Sequence, residues 1–229
     1  MATMARETKN ILINSIAERH LRWAAKRWAR GKMLDIGCGV KPYKKMFAPY
    51  VDQHIGLDHA DTLHSRNEID IEATAYEMPI ADETFDTVLC SMVLEHLEEP
   101  GKALSEAHRV LKPGGSAIYM APFIWHLHEQ PRDFFRYSEH GLTHLFEKTG
   151  FEVKELVPLS GFWVTFGQLF VYYIYRFNRG PMRFVPIVPL VGLVVQGLAA
   201  VLDRLDRAEA WTWAYLIVAA RPEQGGPAQ

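Results

Sequence analysis

The chain has 229 residues, 48% of them hydrophobic and 23% charged. That is enough to bury one self-sufficient α/β core and too little for two equal domains of that kind. With 25 Lys and Arg against 27 Asp and Glu, no overall basic field exists to hold a polynucleotide, so nucleic acid is not an expected partner. The two cysteines, Cys38 and Cys90, lack CxxC spacing and fall at predicted strand ends. They argue against a disulfide scaffold or a zinc site and for a reducing, cytoplasmic setting.

Residues 1–30 interleave Arg and Lys with Ile, Leu and Trp, with no continuous apolar core leading to a cleavage site. An amphipathic N-terminal helix is predicted rather than a signal peptide. Its apolar face carries Ile11, Leu12, Ile16, Ala17, Leu21, Ala24 and Trp28 at helical spacing, to pack on a sheet edge. Strand-like runs over 32–36, 54–58, 85–90, 116–121, 151–156 and 213–219 then alternate with helical ones. Alternation of this kind predicts a parallel, doubly wound sheet. One helix over 100–111 ends at Lys112-Pro113-Gly114-Gly115; another over 138–149 opens on Ser138 as N-cap and stops at Gly150. The predicted core therefore runs over 31–160, with its last strand in 211–221 and a polar tail over 222–229.

The segment 161–210 interrupts the last two strands. Residues 156–175 and 184–202 carry no charge, and Arg176, Arg179 and Arg183 stand between them. Hydropathy alone permits two membrane spans. Pro158, Pro186, Pro189 and four glycines break those runs, so the preferred reading is an apolar helical lid. Docking on a membrane surface ranks second and spanning third.

Residues 33–39, Met-Leu-Asp-Ile-Gly-Cys-Gly, place a carboxylate near a strand end and two glycines at the turn, a cradle for the polar end of a nucleotide-like ligand. Asp58, closing the next strand 19 residues past Gly39, has the spacing of a carboxylate that accepts both ribose hydroxyls. Pro42 stands where a nicotinamide fingerprint has its third glycine. That weakens an oxidoreductase reading.

The run 79–86, the stretch Cys90-Ser91-Met92-Val93-Leu94-Glu95-His96, and Glu106 to Gly115 complete a set of four motifs. With them the chain resembles class I S-adenosylmethionine-dependent methyltransferases, in the small-molecule branch that includes quinone-pathway enzymes. The resemblance covers about residues 30–157 and 211–220. It implies a Rossmann-like, mostly parallel seven-stranded sheet with a helical insertion before the last strand, and S-adenosylmethionine as cofactor. Asp35, Gly37, Cys38 and Gly39 would surround its methionine end, Asp58 its ribose, and Ser91 its sulfur region. Thr74 stands where the family usually has an acid for the adenine, so Thr74 with its neighbouring amides, or Glu72, would take that contact. Leu94-Glu95-His96 with a later His resembles the divalent-metal cluster of some members. Met92 replaces a further carboxylate there, so no metal is assigned.

Methyl transfer needs in-line positioning, and a base only where the acceptor is a hydroxyl or a protonated amine. Residues 123–137 are dense in titratable and aromatic groups. His128 or His126 is the expected base, oriented by Glu129 or Asp133; Trp125, Arg132, Arg136, Tyr137 and His96 are expected to bind the acceptor. Arg132, Asp133 and Arg136 also read as a local ion-pair network that fixes the loop. The expected activity is methyl transfer to a small or lipid-linked acceptor, at oxygen. The rivals are a catalytically silent cofactor-binding partner protein and, third, a nicotinamide-dependent oxidoreductase.

Overall fold

A computed structural model describes residues 8–62 and 65–223. The first seven residues of the predicted N-terminal helix and most of the predicted polar tail lie outside the described residues. The chain divides into two compact units, one of residues 21–122, 127–157 and 215–229, the other of residues 1–20, 123–126 and 158–214.

The larger unit is built on a seven-stranded, mostly parallel sheet. Its strands are β1 (Lys32–Ile36), β2 (Gln53–Asp58), β3 (Ile71–Glu72), β4 (Phe85–Ser91), β5 (Leu111–Pro122), β6 (Glu152–Pro158) and β7 (Ala214–Ala220), in the order β3-β2-β1-β4-β5-β7-β6. β7 is buried along its whole length, and four successive residues of β4 are buried as well. Central strands covered on both faces read as continuous apolar runs rather than alternating ones, which is why these two were visible by composition. Helix α1 (Ile11–Trp28) crosses from the smaller unit into the larger one; α2 (Lys44–Phe47), α3 (Pro100–Val110) and α4 (Glu139–Lys148) belong to the larger. Ser138 caps α4 as its sequence position predicts, its side chain accepting a hydrogen bond from the Gly141 amide.

β1 pairs in parallel with β2 on one side, Ile36 opposite Leu57, and with β4 on the other, Ile36 opposite Cys90. The chain leaves β1 toward one flank and returns at β4 on the opposite flank, so a crevice opens where the carboxyl ends of these strands diverge. This places the turn after β1, Asp58 and the turn after β4 around one space. Two details differ from the sequence expectation. β5 begins at Leu111, so Lys112-Pro113-Gly114-Gly115 is the start of a strand rather than a loop, and the two-residue β3 is too short to leave a periodic signal. In α1, Ile16, Ala17, Leu21 and Ala24 are buried as the spacing predicts, Ile11 is exposed, and Ile13 and Ala25 join the buried face.

The smaller unit holds α5 (Phe162–Tyr175) and α6 (Ile187–Leu205), which pack on each other. Gly167 permits a close approach, since a Cβ there would stand 2.8 Å from that of Ala199. Asp203, buried, accepts from the amides of Gly161 (3.0 Å) and Val164 (3.1 Å) and so caps the start of α5.

The Glu106 and Arg109 motif is a clamp within the larger unit. Arg109 forks onto the Glu106 carboxylate with two bonds of 2.8 Å and reaches the Ile80 carbonyl at 2.7 Å and Asp82 at 2.6 Å. Glu106 in turn accepts from the Met78 amide at 2.9 Å. This ties 78–82 to α3, and the guanidinium holds the Glu106 carboxyl below the usual carboxylate range. Arg109→Ala is expected to cost about 2 kcal/mol, roughly 4–8 °C in melting temperature, with Arg109→Lys recovering only part because it lacks the fork. Glu106 has a depressed pKa in the folded chain. Its contribution is present above the unfolded carboxylate pKa and fades as pH falls, so thermal melts should show the gap narrowing below about pH 4.

Candidate functional site

The turn after β1 is held against the end of β2 by three consecutive amides. Those of Gly37 and Cys38 donate to the Leu57 carbonyl at 2.8 and 3.1 Å, and that of Gly39 donates to Asp58 Oδ2 at 2.9 Å. Gly37 has φ +68°, and a Cβ there would stand 2.5 Å from Val93 Cγ2, so both backbone conformation and space require glycine. Asp58 Oδ1 accepts from the His59 amide at 2.8 Å. Each oxygen of this buried carboxylate thus takes one backbone donor and keeps acceptor capacity for a pair of hydroxyls.

Asp35 is buried on β1 and meets His54 Nε2 of β2 at 2.8 Å. Burial pushes its carboxyl upward while the imidazole opposes the shift. His54 is a residue that sequence reasoning missed; its signal was a polar side chain in the strand next to one bearing a buried acid. Burial pushes the Cys38 thiol up to about 12, so it contributes shape and not nucleophilicity.

These groups wall a cavity of about 750 Å³ in the larger unit. Asp35, Gly37, Cys38, Gly39, Asp58, Thr74 and Ser91, the seven residues expected to hold a cofactor, all line it. Glu72 does not; it is exposed and pairs with Arg66. Met92, Val93, His96, Glu129, Arg132 and Phe134 line the same space. Met92 and Glu129 both have positive φ, +56° and +50°, so backbone strain gathers at this wall. Arg132 reaches Asp61 at 3.6 Å and His59 Nδ1 at 3.5 Å, linking the loop 127–137 to the segment after β2.

Behind that wall stands a cluster of Glu95, His96 and His128, whose ligand-type atoms lie within 4.8 Å of one another. Glu95 is fully buried and neither carboxylate oxygen has a hydrogen-bond partner. Burial pushes its carboxyl up to about 8. Its Oε1 lies 3.9 Å from His96 Nε2 and 3.8 Å from His128 Nε2. His96 Nδ1 meets the Arg132 carbonyl, which can only accept, so in the neutral ring Nδ1 carries the proton and Nε2 presents a lone pair to the cluster. Glu129 Oε2 is 3.6 Å from the same Nε2.

His128 Nδ1 is 3.5 Å from Asp133 Oδ2, which also accepts from the His128 amide at 2.8 Å. Arg136 grips Asp133 with bonds of 2.6 and 2.8 Å and holds its carboxyl far below the usual range. Tyr137 donates to the Leu94 carbonyl at 2.9 Å, and the Glu95 carbonyl accepts from Phe134. Tyr137 and the Phe134 amide therefore hang the loop on the turn after β4 and the Arg136–Asp133 pair braces it from within; Asp133, Arg136 and Tyr137 do not line the cavity. His126 and Trp125 belong to the smaller unit, where the His126 ring lies 4.3 Å and the Trp125 ring 5.1 Å from Tyr172. Of the two histidines expected to act as base, only His128 joins the cluster.

Residues 34–119 match the family model described as "Methyltransferase domain". A protein of Mycolicibacterium smegmatis described as a probable S-adenosylmethionine-dependent methyltransferase is 32% identical over 57% of this chain and 56% of its own length. Ubiquinone biosynthesis O-methyltransferase of Pseudomonas aeruginosa is 28% identical over 68% of this chain and 80% of its own. The chain spans about half the length of the curated relatives it matches at 37% and 32% identity. The crystal structure of the [4+2]-cyclase SpnF superposes with a TM-score of 0.61 at 21% identity, over 90% of this chain and 82% of that one, a likeness of fold.

The state of Glu95 can be read from stability. Its folded pKa is raised, so the buried carboxyl is tolerated at low pH and penalises the fold as pH rises from the unfolded value through about 8. Glu95→Gln removes that titration. The variant is expected to melt about 5 °C or more above the parent at pH 9, since each kcal/mol is worth roughly 2–4 °C in a chain of this size, and close to it at pH 5.

Proposed function

We propose that the chain is a class I S-adenosylmethionine-dependent methyltransferase and that it transfers the cofactor's methyl group to a hydroxyl oxygen of a small or lipid-linked acceptor. The cofactor, when bound, supplies a methyl group already activated by positively charged sulfur. The residues present fit it: a glycine turn a Cβ would block, an acid with acceptor capacity for a diol, and Asp35 behind them. Thr74, Ala73 and Ala75 line the cavity as well and are assigned the base in place of an acid, the Ala73 amide being already committed to the Asp58 carbonyl.

Positioning supplies much of such a reaction, so the chain's own chemical task is to take a proton from the acceptor as the oxygen attacks. The observation that carries the oxygen assignment is the convergence of His96 Nε2 and His128 Nε2 on the unpartnered Glu95 carboxyl, beside the cavity lined by Ser91 and His96. His96 is the first proton acceptor, because it lines the cavity and its Nδ1 is committed to the Arg132 carbonyl. His128 takes the proton onward, and Glu95, which burial keeps protonated up to about 8, adds no carboxylate to receive it at neutral pH. Arg132 and Glu129 meet the polar part of the acceptor at the cavity wall.

The same donor set suits a divalent cation, and Glu95's unpartnered oxygens favour that second reading. The readings separate in one assay, with methyl-labelled S-adenosylmethionine and a panel of phenolic, alcoholic, carboxylic and amine acceptors. Labelled methyl ethers or esters are expected, with turnover kept in EDTA. His96→Ala and His128→Ala should each lower kcat about 10²–10⁴-fold while the KM for the cofactor changes little. Turnover lost in EDTA and restored by Mg²⁺ would move the cluster's role from proton transfer to cation binding. Transfer to amines alone would overturn the oxygen assignment, and cofactor binding without turnover on any acceptor would leave a silent binding protein.

A further inference from the structure

The smaller unit has an inverted distribution of polarity. Among its described residues, Thr165, Gln168, Gln196 and Asp203 point inward and are buried. Gln196 bonds the Thr8 carbonyl and the Leu12 amide at 3.0 Å each, and Gln168 bonds the Lys9 carbonyl at 2.8 Å. Outward stand Leu190, Val194, Leu198 and Val201, each more than half exposed and spaced 4, 4 and 3 residues apart, which is one continuous helix face. On α5, Phe166 and Phe170 continue the same pattern at 37% and 50% exposure. An amphipathic helix in water carries Lys and Glu at such positions. Helix α6 is apolar enough for a bilayer, yet only 28% of its apolar window is buried.

We propose that the outward faces of α5 and α6 dock on the surface of an anionic lipid bilayer, with both helices lying in its plane. Polar groups inside and apolar groups outside is the arrangement that a hydrocarbon medium selects. A protein partner is the poorer match, because protein interfaces carry about one hydrogen bond per 100–200 Å², and on these stripes only Tyr173 adds an exposed hydroxyl while the Trp163 indole is already bonded to Asp206. Length decides against crossing by α5, on which α6 packs. Helix α5 has 14 residues, about 21 Å at 1.5 Å per residue, short of a hydrocarbon core of about 30 Å. Charge sets the lipid class. Exposed Arg176 and Arg179 sit at the turn between the helices with no acid between them, and the Arg176 guanidinium lies 5.2 Å from the Tyr173 ring. At the other end, Arg207 is paired with Glu209 at 3.1 Å and Asp206 accepts from Trp163, so that end adds little net charge. The turn arginines reach headgroups while the stripes enter the outer acyl region. The test of this surface needs no acceptor, so its outcome is independent of the transfer chemistry.

The full chain, mixed with vesicles of phosphatidylcholine containing 30% phosphatidylglycerol, is expected to co-sediment with them. It should bind pure phosphatidylcholine at least tenfold more weakly and lose affinity as salt rises. Val194→Glu with Leu198→Glu should abolish sedimentation. Arg176→Glu with Arg179→Glu should reduce it about tenfold. An unchanged melting temperature and unchanged calorimetric binding of S-adenosylhomocysteine show that the variants fold. Sedimentation equal with and without vesicles would overturn the proposal. A vesicle-indifferent dimer that Val194→Glu dissociates would also overturn it and assign the face to a second copy. Equal binding to neutral and anionic vesicles would overturn the lipid class.

Discussion

Three adjacent amides, those of Gly37, Cys38 and Gly39, all donate to the last residues of β2. This is the constraint on which the site depends. It fixes the β1 turn in a conformation that only glycine adopts at position 37, holds the Asp58 carboxylate at the lip of the cavity, and leaves the crevice between β1 and β4 open. A side chain at Gly37 would have to displace Val93, one residue before the turn that carries Glu95 and His96, so the wall proposed to hold the cofactor and the wall proposed to accept the proton share one packing contact.

The second feature is the electrostatic tension beyond β4. A carboxyl with no partner, buried beside two imidazoles, costs stability wherever it is ionised. Such an arrangement is kept only where surrounding structure over-determines it. Here the Tyr137 hydroxyl on Leu94, the Phe134 amide on the Glu95 carbonyl and the Arg136–Asp133 pair do so. Burial raises the Glu95 carboxyl and Arg136 depresses that of Asp133, and this pairing behind the cavity wall supports the proposed proton-accepting role of the cluster.

Much of this was legible in the sequence because the informative spacings are local. Asp35, Gly37, Gly39 and Asp58 lie at strand ends, where register and turn chemistry act over a few residues, and Ser138 announced its helix by side-chain type alone. What was not legible depends on neighbours far along the chain. His126 and His128 are two residues apart and indistinguishable by composition, yet the first packs with Trp125 and Tyr172 and the second with Glu95 and Asp133. Tyr137 reads as an acceptor ligand until its hydroxyl is seen on the Leu94 carbonyl. The His54 partnership with Asp35 crosses two strands, and β3 is too short for any period to show. Hydropathy located the apolar segment 161–210, but not that Thr165, Gln168, Gln196 and Asp203 within it point inward.

Fold alone leaves the reaction open, since a [4+2]-cyclase shares the architecture; the residues that line the cavity narrow it. On the proposed reading, this cavity binds an adenosyl sulfur cofactor through the β1 turn and Asp58. Isothermal titration of the full chain with S-adenosylhomocysteine, and in parallel with NADH, tests it most directly. One-to-one binding of the first, weakened at least tenfold by Asp58→Asn, with no heat from the second, is the result the account predicts. Heat from NADH alone, or from neither ligand, would contradict it.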